Sequence, residues 1–305
     1  MIRKLLIIFL IIALFFGGTA VAQKKGKILL LNSDSSIEKY FSVQTVFKKK
    51  IKDLVIEVNL AARQINENKI KKIISKQKPE VIYCIGSKAY IVANKLAKNK
   101  KLIFSSLINW RRFPKGKNTY GIANELSADM QLMLYRYLFP NLKNIGLLYS
   151  EAYNEEWVKA MVLGAKDVGF NIVKKTVKKS AEIETALEEL LPNIEALWLI
   201  SDPIIISDIE SVKKIFKRCD LKNKPVFAYN KAFSDYGATL IISADIPTIG
   251  RQAAGLAKKL FKNKKISKKV QDPAGSYITL NLKKVNQYQL ELNSESLGSV
   301  NEIIR

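Results

Sequence analysis

A short apolar stretch in the first half of the chain decides the fold: Val81-Ile82-Tyr83-Cys84-Ile85-Gly86-Ser87. Five apolar residues in a row predict a strand that is buried on both faces. Gly86-Ser87 then begins a segment with helical spacing that runs to residue 96. Apolar strand patterns also lie at residues 27–31 and 101–105, with further helical spacing between them. This alternation predicts a parallel sheet covered by helices on both faces.

The same alternation returns in the second half of the chain. A polar, basic stretch at 109–121, which contains Pro114 and Gly116, interrupts the pattern. Beyond it, strands are predicted at 144–149, 171–177, 196–200, 225–228, 239–242 and 277–282, with helices between most of them. The sequence itself does not repeat, but two α/β units of similar length follow one another.

The N-terminus has the layout of a secretory signal peptide. Arg3 and Lys4 precede an apolar run at 5–16, and the small-residue site Ala20-Val21-Ala22 follows. The run of 12 residues is shorter than the roughly 20 that a spanning helix needs, although an uncleaved membrane anchor is the alternative. We predict that residues 1–22 are removed. Residue 23 is glutamine and not cysteine, which indicates a soluble periplasmic protein without a lipid anchor.

The net charge of +24 raises the question of nucleic acid. Lysine pairs such as Lys71-Lys72, Lys174-Lys175 and Lys258-Lys259 are spread over the whole chain, on the polar faces or ends of predicted helices. Such spacing is typical of solvated surfaces. We therefore predict no nucleic-acid partner, and weak attraction to anionic membrane surfaces fits the charge better.

Several kinds of chemistry are disfavoured by the residues. The chain has no histidine, which removes the commonest general base and transition-metal ligand. No nucleotide-binding motif and no G-x-S-x-G nucleophile motif is present. We predict that the protein is not an enzyme and has no cofactor and no metal. The cysteines Cys84 and Cys219 fall in different predicted units, and we expect free thiols.

Ligands of open α/β sheets bind beyond the carboxyl ends of the strands. The residues predicted to bind the ligand there are Ser33, Ser36, Gly86, Ser87, Ser106, Asn109, Trp110, Tyr149, Asn154, Asp202, Tyr229 and Asn230. Their hydroxyls, amides and rings suit a small polar ligand with an apolar part. A helix N-cap explains Ser87, Asp202 or Asn230 equally well. Asp202 is the predicted principal contact to a cationic group of the ligand.

From about residue 119 to 293, the chain resembles the ABC-transporter substrate-binding protein family whose best-known members bind tryptophan or tyrosine. The resemblance lies in Tyr120-Gly121-Ile122 and in residues 138–149, 196–202, 224–228 and 277–283. It implies a type I periplasmic-binding fold, which is an α/β architecture of two Rossmann-like lobes with parallel sheets joined by hinge strands. The implied lobes are residues 23–120 with 246–265, and residues 121–245 with 266–305.

Two departures from the family bear on the ligand. Asn109-Trp110 stands where the family tends to have Ser-Asp-Pro, and Tyr229-Asn230 stands where Ser-Asp is common. Both changes remove negative charge and add aromatic surface. They weaken the case for an amino acid against another small polar or aromatic solute.

The resemblance implies an exported, monomeric solute-binding protein. It would capture a small molecule between its lobes and pass it to an ABC-transporter permease through a transient contact with that membrane protein. A ligand sensor that presents its closed form to a membrane receptor is an alternative binding function. An exported α/β enzyme is the alternative of a different class.

Overall fold

The first lobe is built on a fully parallel sheet. The computed structural model describes residues 27–51, 54–61 and 66–305, so the predicted signal peptide and its cleavage site lie outside the described residues. Elements are numbered in chain order, and the strand order in this sheet is β11-β5-β4-β3-β1-β2. The strands are β1 (Lys27–Asn32), β2 (Leu54–Asn59), β3 (Val81–Ile85), β4 (Lys101–Ser105), β5 (Thr119–Ile122) and β11 (Val270–Gln271).

Helices cover both faces of this sheet. They are α1 (Glu38–Lys50), α2 (Glu67–Gln77), α3 (Ser87–Leu96) and α8 (Ile246–Phe261). Helices α1 and α8 pack so closely that a Cβ on Gly250 would lie 2.7 Å from the carbonyl oxygen of Val43. Under the pair, the ring of Phe47 stacks on that of Tyr83 with centroids 4.3 Å apart.

The second lobe repeats the strand order of the first and adds an antiparallel edge. Its order is β13-β12-β10-β9-β8-β6-β7, and β12 runs antiparallel to β10. The strands are β6 (Asn144–Tyr149), β7 (Asn171–Thr176), β8 (Ala196–Trp198), β9 (Val226–Ala228), β10 (Leu240–Ala244), β12 (Ser276–Asn281) and β13 (Glu302–Ile304). The helices are α4 (Ala128–Leu138), α5 (Glu151–Asp167), α6 (Ile183–Leu190), α7 (Ile209–Leu221) and α9 (Leu282–Gln287).

The chain crosses between the lobes after β5, before α8 and after β11. Strands β5 and β11 both belong to the first sheet, so sheet membership extends beyond the predicted boundaries at 120 and 265. We therefore propose a division into residues 27–122 with 246–272, and residues 123–245 with 273–305. The predicted fold class, two α/β lobes with mostly parallel sheets, is confirmed.

The stretch 109–121, where the sequence pattern breaks, contains more structure than the pattern indicates. It holds a single 3-10 turn at Trp110–Arg112 and most of β5. Strand β5 is short, and Gly121 leaves room for the ring of Phe104, so hydrophobic periodicity cannot reveal it. Over the described ranges, no helix combines the length and the apolarity that crossing a bilayer requires. Cys84 and Cys219 are buried in different lobes as free thiols.

Candidate ligand-binding cleft

The cleft lies where the carboxyl ends of the two sheets face each other, and the lobes touch across it. The side-chain amide of Asn109 in the first lobe donates to the carbonyl oxygen of Ser201 in the second, at 2.9 Å. The Arg111 guanidinium lies 5.6 Å from the centroid of the Trp157 ring on α5. These contacts join the two lobes, so the structure shows a closed arrangement.

A small cavity remains inside the closed cleft. Its volume is ≈ 20 Å³, which is about the space that one water molecule needs. An amino acid or a larger solute therefore enters only when the lobes move apart. The lining residues are Arg111, Glu125, Leu126, Gln131, Asn154, Trp157, Trp198, Ile200, Ser201 and Tyr229.

Glu125 provides the carboxylate of this cavity. It lies in the crossover between β5 and α4, and its Oε1 accepts a hydrogen bond from the backbone N–H of Asn109 at 3.1 Å. Its Oε2 is buried without a well-formed hydrogen bond among the described residues, although the Ser201 hydroxyl lies close enough to lower the pKa of the Glu125 carboxyl. Burial raises the pKa of the Glu125 carboxyl, and the nearby Arg111 guanidinium acts against that increase.

Arg111 is the cation that faces this carboxylate. Its guanidinium lies between two indoles, 5.0 Å from the ring centroid of Trp110 and 5.6 Å from that of Trp157. Burial lowers the pKa of Arg111, whereas Glu125 raises it. Lys39 at the start of α1 is also close enough to Glu125 for the carboxylate to raise its pKa against the effect of burial. The first lobe thus presents positive charge to a carboxylate on the crossover.

Unpartnered polar atoms concentrate at the cleft. Eight buried side-chain polar atoms of the described residues have no hydrogen-bonding partner. Six of them lie at or beside the cleft: Ser106 Oγ, Asn109 Oδ1, Trp110 Nε1, Glu125 Oε2, Trp198 Nε1 and Ser201 Oγ. Buried polar groups in folded proteins are normally satisfied. This cluster therefore suits a polar ligand that would supply the missing partners.

Asp202, the predicted charged contact, is fully engaged elsewhere. The residue is 0% exposed. Its Oδ2 accepts from the backbone and hydroxyl of Ser150 and from the amide of Asn154, at 2.6–2.7 Å. Its Oδ1 accepts from the backbone N–H groups of Ile204 and Ile205. With five donors on two oxygens, Asp202 ties the end of β6 to the turn after β8 and does not line the cavity.

The other predicted residues divide into two groups. Asn154 and Tyr229 line the cavity, and Asn109 and Trp110 lie beside it through Ser201 and Arg111. The remaining residues have local contacts, which are as follows. Ser33 Oγ accepts from Ala89 N, Ser36 bonds Asp34, and Gly86, at φ +83°, packs against Ser33. Ser87 begins α3, Tyr149 donates to Glu155, and Asn230 caps a 3-10 turn. Ser106 directly follows β4 at φ +59°, and it belongs with the residues beside the cleft because its buried hydroxyl has no partner among the described residues.

The sequence profile of the family described as ABC transporter substrate binding protein matches residues 25–304. The chain belongs to this family. A curated relative, the "Tyrosine-binding protein" of Clostridioides difficile (strain R20291), is 27% identical over 206 residues. That match covers 64% of this chain and 58% of the relative, so the matched part spans less than two thirds of the relative's length.

Two solved structures share the fold at low sequence identity. The ligand-free, open structure of a substrate binding protein with adhesive properties from Clostridium difficile has a TM-score of 0.67 at 19% identity and covers 92% of this chain and 99% of its own. An ABC domain in complex with L-Trp from Streptococcus pneumonia has a TM-score of 0.62 at 18% identity, and the match covers 92% of this chain and 100% of that chain.

Sequence reasoning did not identify most of the residues that line the cavity of this substrate-binding protein. Arg111 and Glu125 lie in segments without periodicity, and Trp157 matches the apolar stripe of α5 that also packs the core. The position of Glu125 in the sequence could have identified it. Glu125 is the first charged residue after β5, where the chain crosses between the lobes, and crossovers line the cleft in an architecture of this type.

Proposed function

We propose that this substrate-binding protein captures an aromatic amino acid between its lobes and delivers it to an ABC transporter. The observation that carries the proposal is the pair Arg111 and Glu125 at a cavity walled by Trp157, Trp198 and Tyr229. A guanidinium binds a carboxylate through two parallel hydrogen bonds. A buried carboxylate binds an ammonium group. The two charges suit the two ends of an amino-acid zwitterion.

The aromatic walls favour an aromatic side chain on the ligand. Trp157 and Trp198 meet edge to face with centroids 5.7 Å apart. Rings of this kind pack well against a further ring in offset or edge-to-face geometry. The names of two family relatives, which mention tyrosine and L-Trp, support the same ligand class.

Glu125 supplies a carboxylate for the ligand's ammonium group, which the sequence departures had left without an evident partner. The departures at Asn109-Trp110 and Tyr229-Asn230 take carboxylates away from two strand ends. In the structure, a carboxylate reaches the cavity from the crossover instead. We therefore propose Glu125, and not Asp202, as the contact to the ligand's ammonium group.

The remaining parts of the proposal are supported by family membership and by the signal-peptide layout of the N-terminus. The protein would be exported through residues 1–22, act in the periplasm as a monomer, and meet the permease transiently. It would bind its ligand without chemical change, because the charged groups of the cleft are arranged for recognition.

Ligand analogues test the proposal directly. We expect L-tryptophan or L-tyrosine to raise the melting temperature by several degrees, since a hundredfold excess over Kd contributes about 2.7 kcal/mol. Tryptamine lacks the carboxylate, indole-3-propionate lacks the ammonium group, and L-leucine lacks the ring. Each should bind at least tenfold more weakly by calorimetry. Equal binding of all four compounds would disprove zwitterion recognition, and no binding of any aromatic amino acid would disprove the ligand class.

A further inference from the structure

The net charge of the protein belongs almost entirely to one lobe. Residues 27–122 with 246–272 carry 29 lysines and arginines against 7 aspartates and glutamates. Residues 123–245 with 273–305 carry 18 against 20. The even spread of lysine pairs along the sequence conceals this difference, because the acidic residues are concentrated in the second lobe.

The positive charge of the first lobe is concentrated at the end away from the cleft. Its strands begin there and its helices end there, because every strand of the sheet is parallel. Helices α1, α2 and α8 each have lysine in the last turn. We call this end the lysine pole; its exposed members include Lys50, Lys78, Lys98, Lys259, Lys262 and Lys264.

These lysines are not neutralised locally. Among the described residues, ion pairs of the first lobe engage Lys48, Lys95, Arg251 and Lys268, and none engages the six lysines named above. The acidic residue that the described chain places at the pole is Glu80, just before β3. The pole therefore presents an extended positive potential to any large anionic surface.

We propose that the lysine pole docks the protein on anionic lipid headgroups. The described pole carries lysine and not arginine, and lysine is a flexible point charge, whereas arginine forms the rigid fork suited to nucleic-acid phosphates. Leu54, which begins β2 at this pole, is 53% exposed and can enter the interfacial region of a bilayer. Strand β1 also begins at this pole, at Lys27.

Docking by the pole leaves the cleft free. The cavity lies at the opposite ends of the same strands, beyond the carboxyl ends of the sheet. A protein held by its lysine pole can therefore open, bind and close while it remains near the membrane. This role is independent of the ligand class proposed above.

Vesicle sedimentation with two matched variants tests the inference. One variant changes Lys258, Lys259, Lys262 and Lys264 to glutamine at the pole. The control changes four exposed lysines of the second lobe, Lys178, Lys179, Lys217 and Lys222, and so alters the net charge equally. The vesicles are phosphatidylcholine alone, or phosphatidylcholine with about one third phosphatidylglycerol.

We expect the unaltered chain and the control to bind the anionic vesicles and to be released by salt, because screening shortens the range of the charges. The pole variant should bind at least tenfold more weakly and keep its ligand affinity. Equal loss in both variants would show that net charge and not the pole is responsible. Binding to neutral vesicles, or tighter binding to duplex DNA than to anionic vesicles, would overturn the assignment to anionic lipid.

Discussion

The two lobes share one strand order and differ in what their strand ends present. The first lobe brings Asn109, Trp110 and Arg111 to the cleft on one loop after β4. The second lobe brings tryptophans and a tyrosine from α5, β8 and the end of β9. The same topology thus places side chains in equivalent positions and leaves their chemistry free to diverge. In this protein, the first lobe contributes the Arg111 guanidinium beside the ring of Trp110, and the second lobe contributes the walls Trp157, Trp198 and Tyr229.

The carboxylate of the cleft belongs to neither sheet. Glu125 lies on the crossover and accepts a hydrogen bond from the first lobe's Asn109. A hinge residue that contacts the facing loop changes its surroundings when the lobes separate. The Glu125 carboxylate therefore takes part both in the proposed ligand recognition and in closure of the lobes. The variants below test how much each lobe contributes to binding.

The largest effect is expected at the charged loop of the first lobe. Arg111→Met should weaken binding of an aromatic amino acid by roughly a hundredfold or more, since a guanidinium makes two bonds to a carboxylate of about 1.5–3 kcal/mol each. Calorimetry measures the change. The control is Arg112→Met, which alters the exposed neighbour. If both variants bind as well as the unaltered chain, the first lobe does not hold the carboxylate.

The crossover carboxylate comes next. Glu125→Gln should weaken binding by about ten- to a hundredfold, because it removes a charge-assisted bond to the ammonium group. Tryptamine keeps that group and should lose affinity too, whereas indole-3-propionate lacks it and should not. A loss that is the same for all three compounds would instead indicate a general defect in closure.

The same glutamate should make affinity depend on pH. In the closed, ligand-free arrangement, burial raises its pKa and the Arg111 guanidinium opposes that rise, while Glu125 in turn raises the pKa of Lys39. An ammonium ligand favours the ionised form, so affinity should fall by up to about tenfold per pH unit as pH drops below that raised pKa. Glu125→Gln should abolish this slope. In the free protein the raised pKa acts in the opposite sense, and Glu125 contributes stability as pH falls.

Replacing Asp202 should lower the stability of the second lobe and leave the protein's affinity for its ligand unchanged. Asp202→Asn places an NH₂ group against donors and should lower the free energy of unfolding by about 1.5–3 kcal/mol, which is several degrees in melting temperature. Asp208→Asn is the matched control, because Asp208 is the exposed N-cap of α7 and asparagine caps nearly as well. A large loss of affinity at unchanged stability would restore Asp202 as the ligand contact.

The smallest effect is expected at the contact that joins the lobes. Asn109→Gly keeps the positive φ of 44° and deletes the amide that bonds Ser201. Ligand affinity should fall about two- to tenfold, since one neutral hydrogen bond contributes roughly 0.5–1.5 kcal/mol. Asn223→Gly, at φ 52° in the second lobe, is the control for the effect of placing a glycine at a position of positive φ. No difference between the two variants would mean that closure does not depend on this bond.

The strands and helices that periodicity defines were predictable from the sequence. Strand β3 and helix α3 have the predicted bounds, because five buried residues followed by a glycine leave little ambiguity. The short strands β11 and β13 carry no period and were missed, whereas β8 and β9, with three residues each, lie within apolar runs and were predicted. These strands form by pairing with segments that are distant in sequence, and local β-propensity carries no information about such pairing.

The cleft was predictable in location and less so in composition. Strand ends identified Asn154 and Tyr229, because topology places the first turn of α5 and the residue after β9 beyond the carboxyl ends of the strands. The choice between Asp202 and Glu125 depends on where each carboxylate finds donors. Asp202 meets five N–H and O–H groups of its own lobe, and no spacing rule encodes that arrangement.

All three tryptophans of the chain lie at the cleft. Tryptophan fluorescence therefore reports on the cleft and not on the lysine pole. A shift in the emission spectrum on adding a non-fluorescent ligand analogue would follow opening and closing without any attached dye. Vesicle docking, followed by light scattering in the same cuvette, should leave that spectrum unchanged, so one sample can separate capture of the ligand from attachment to the lipid.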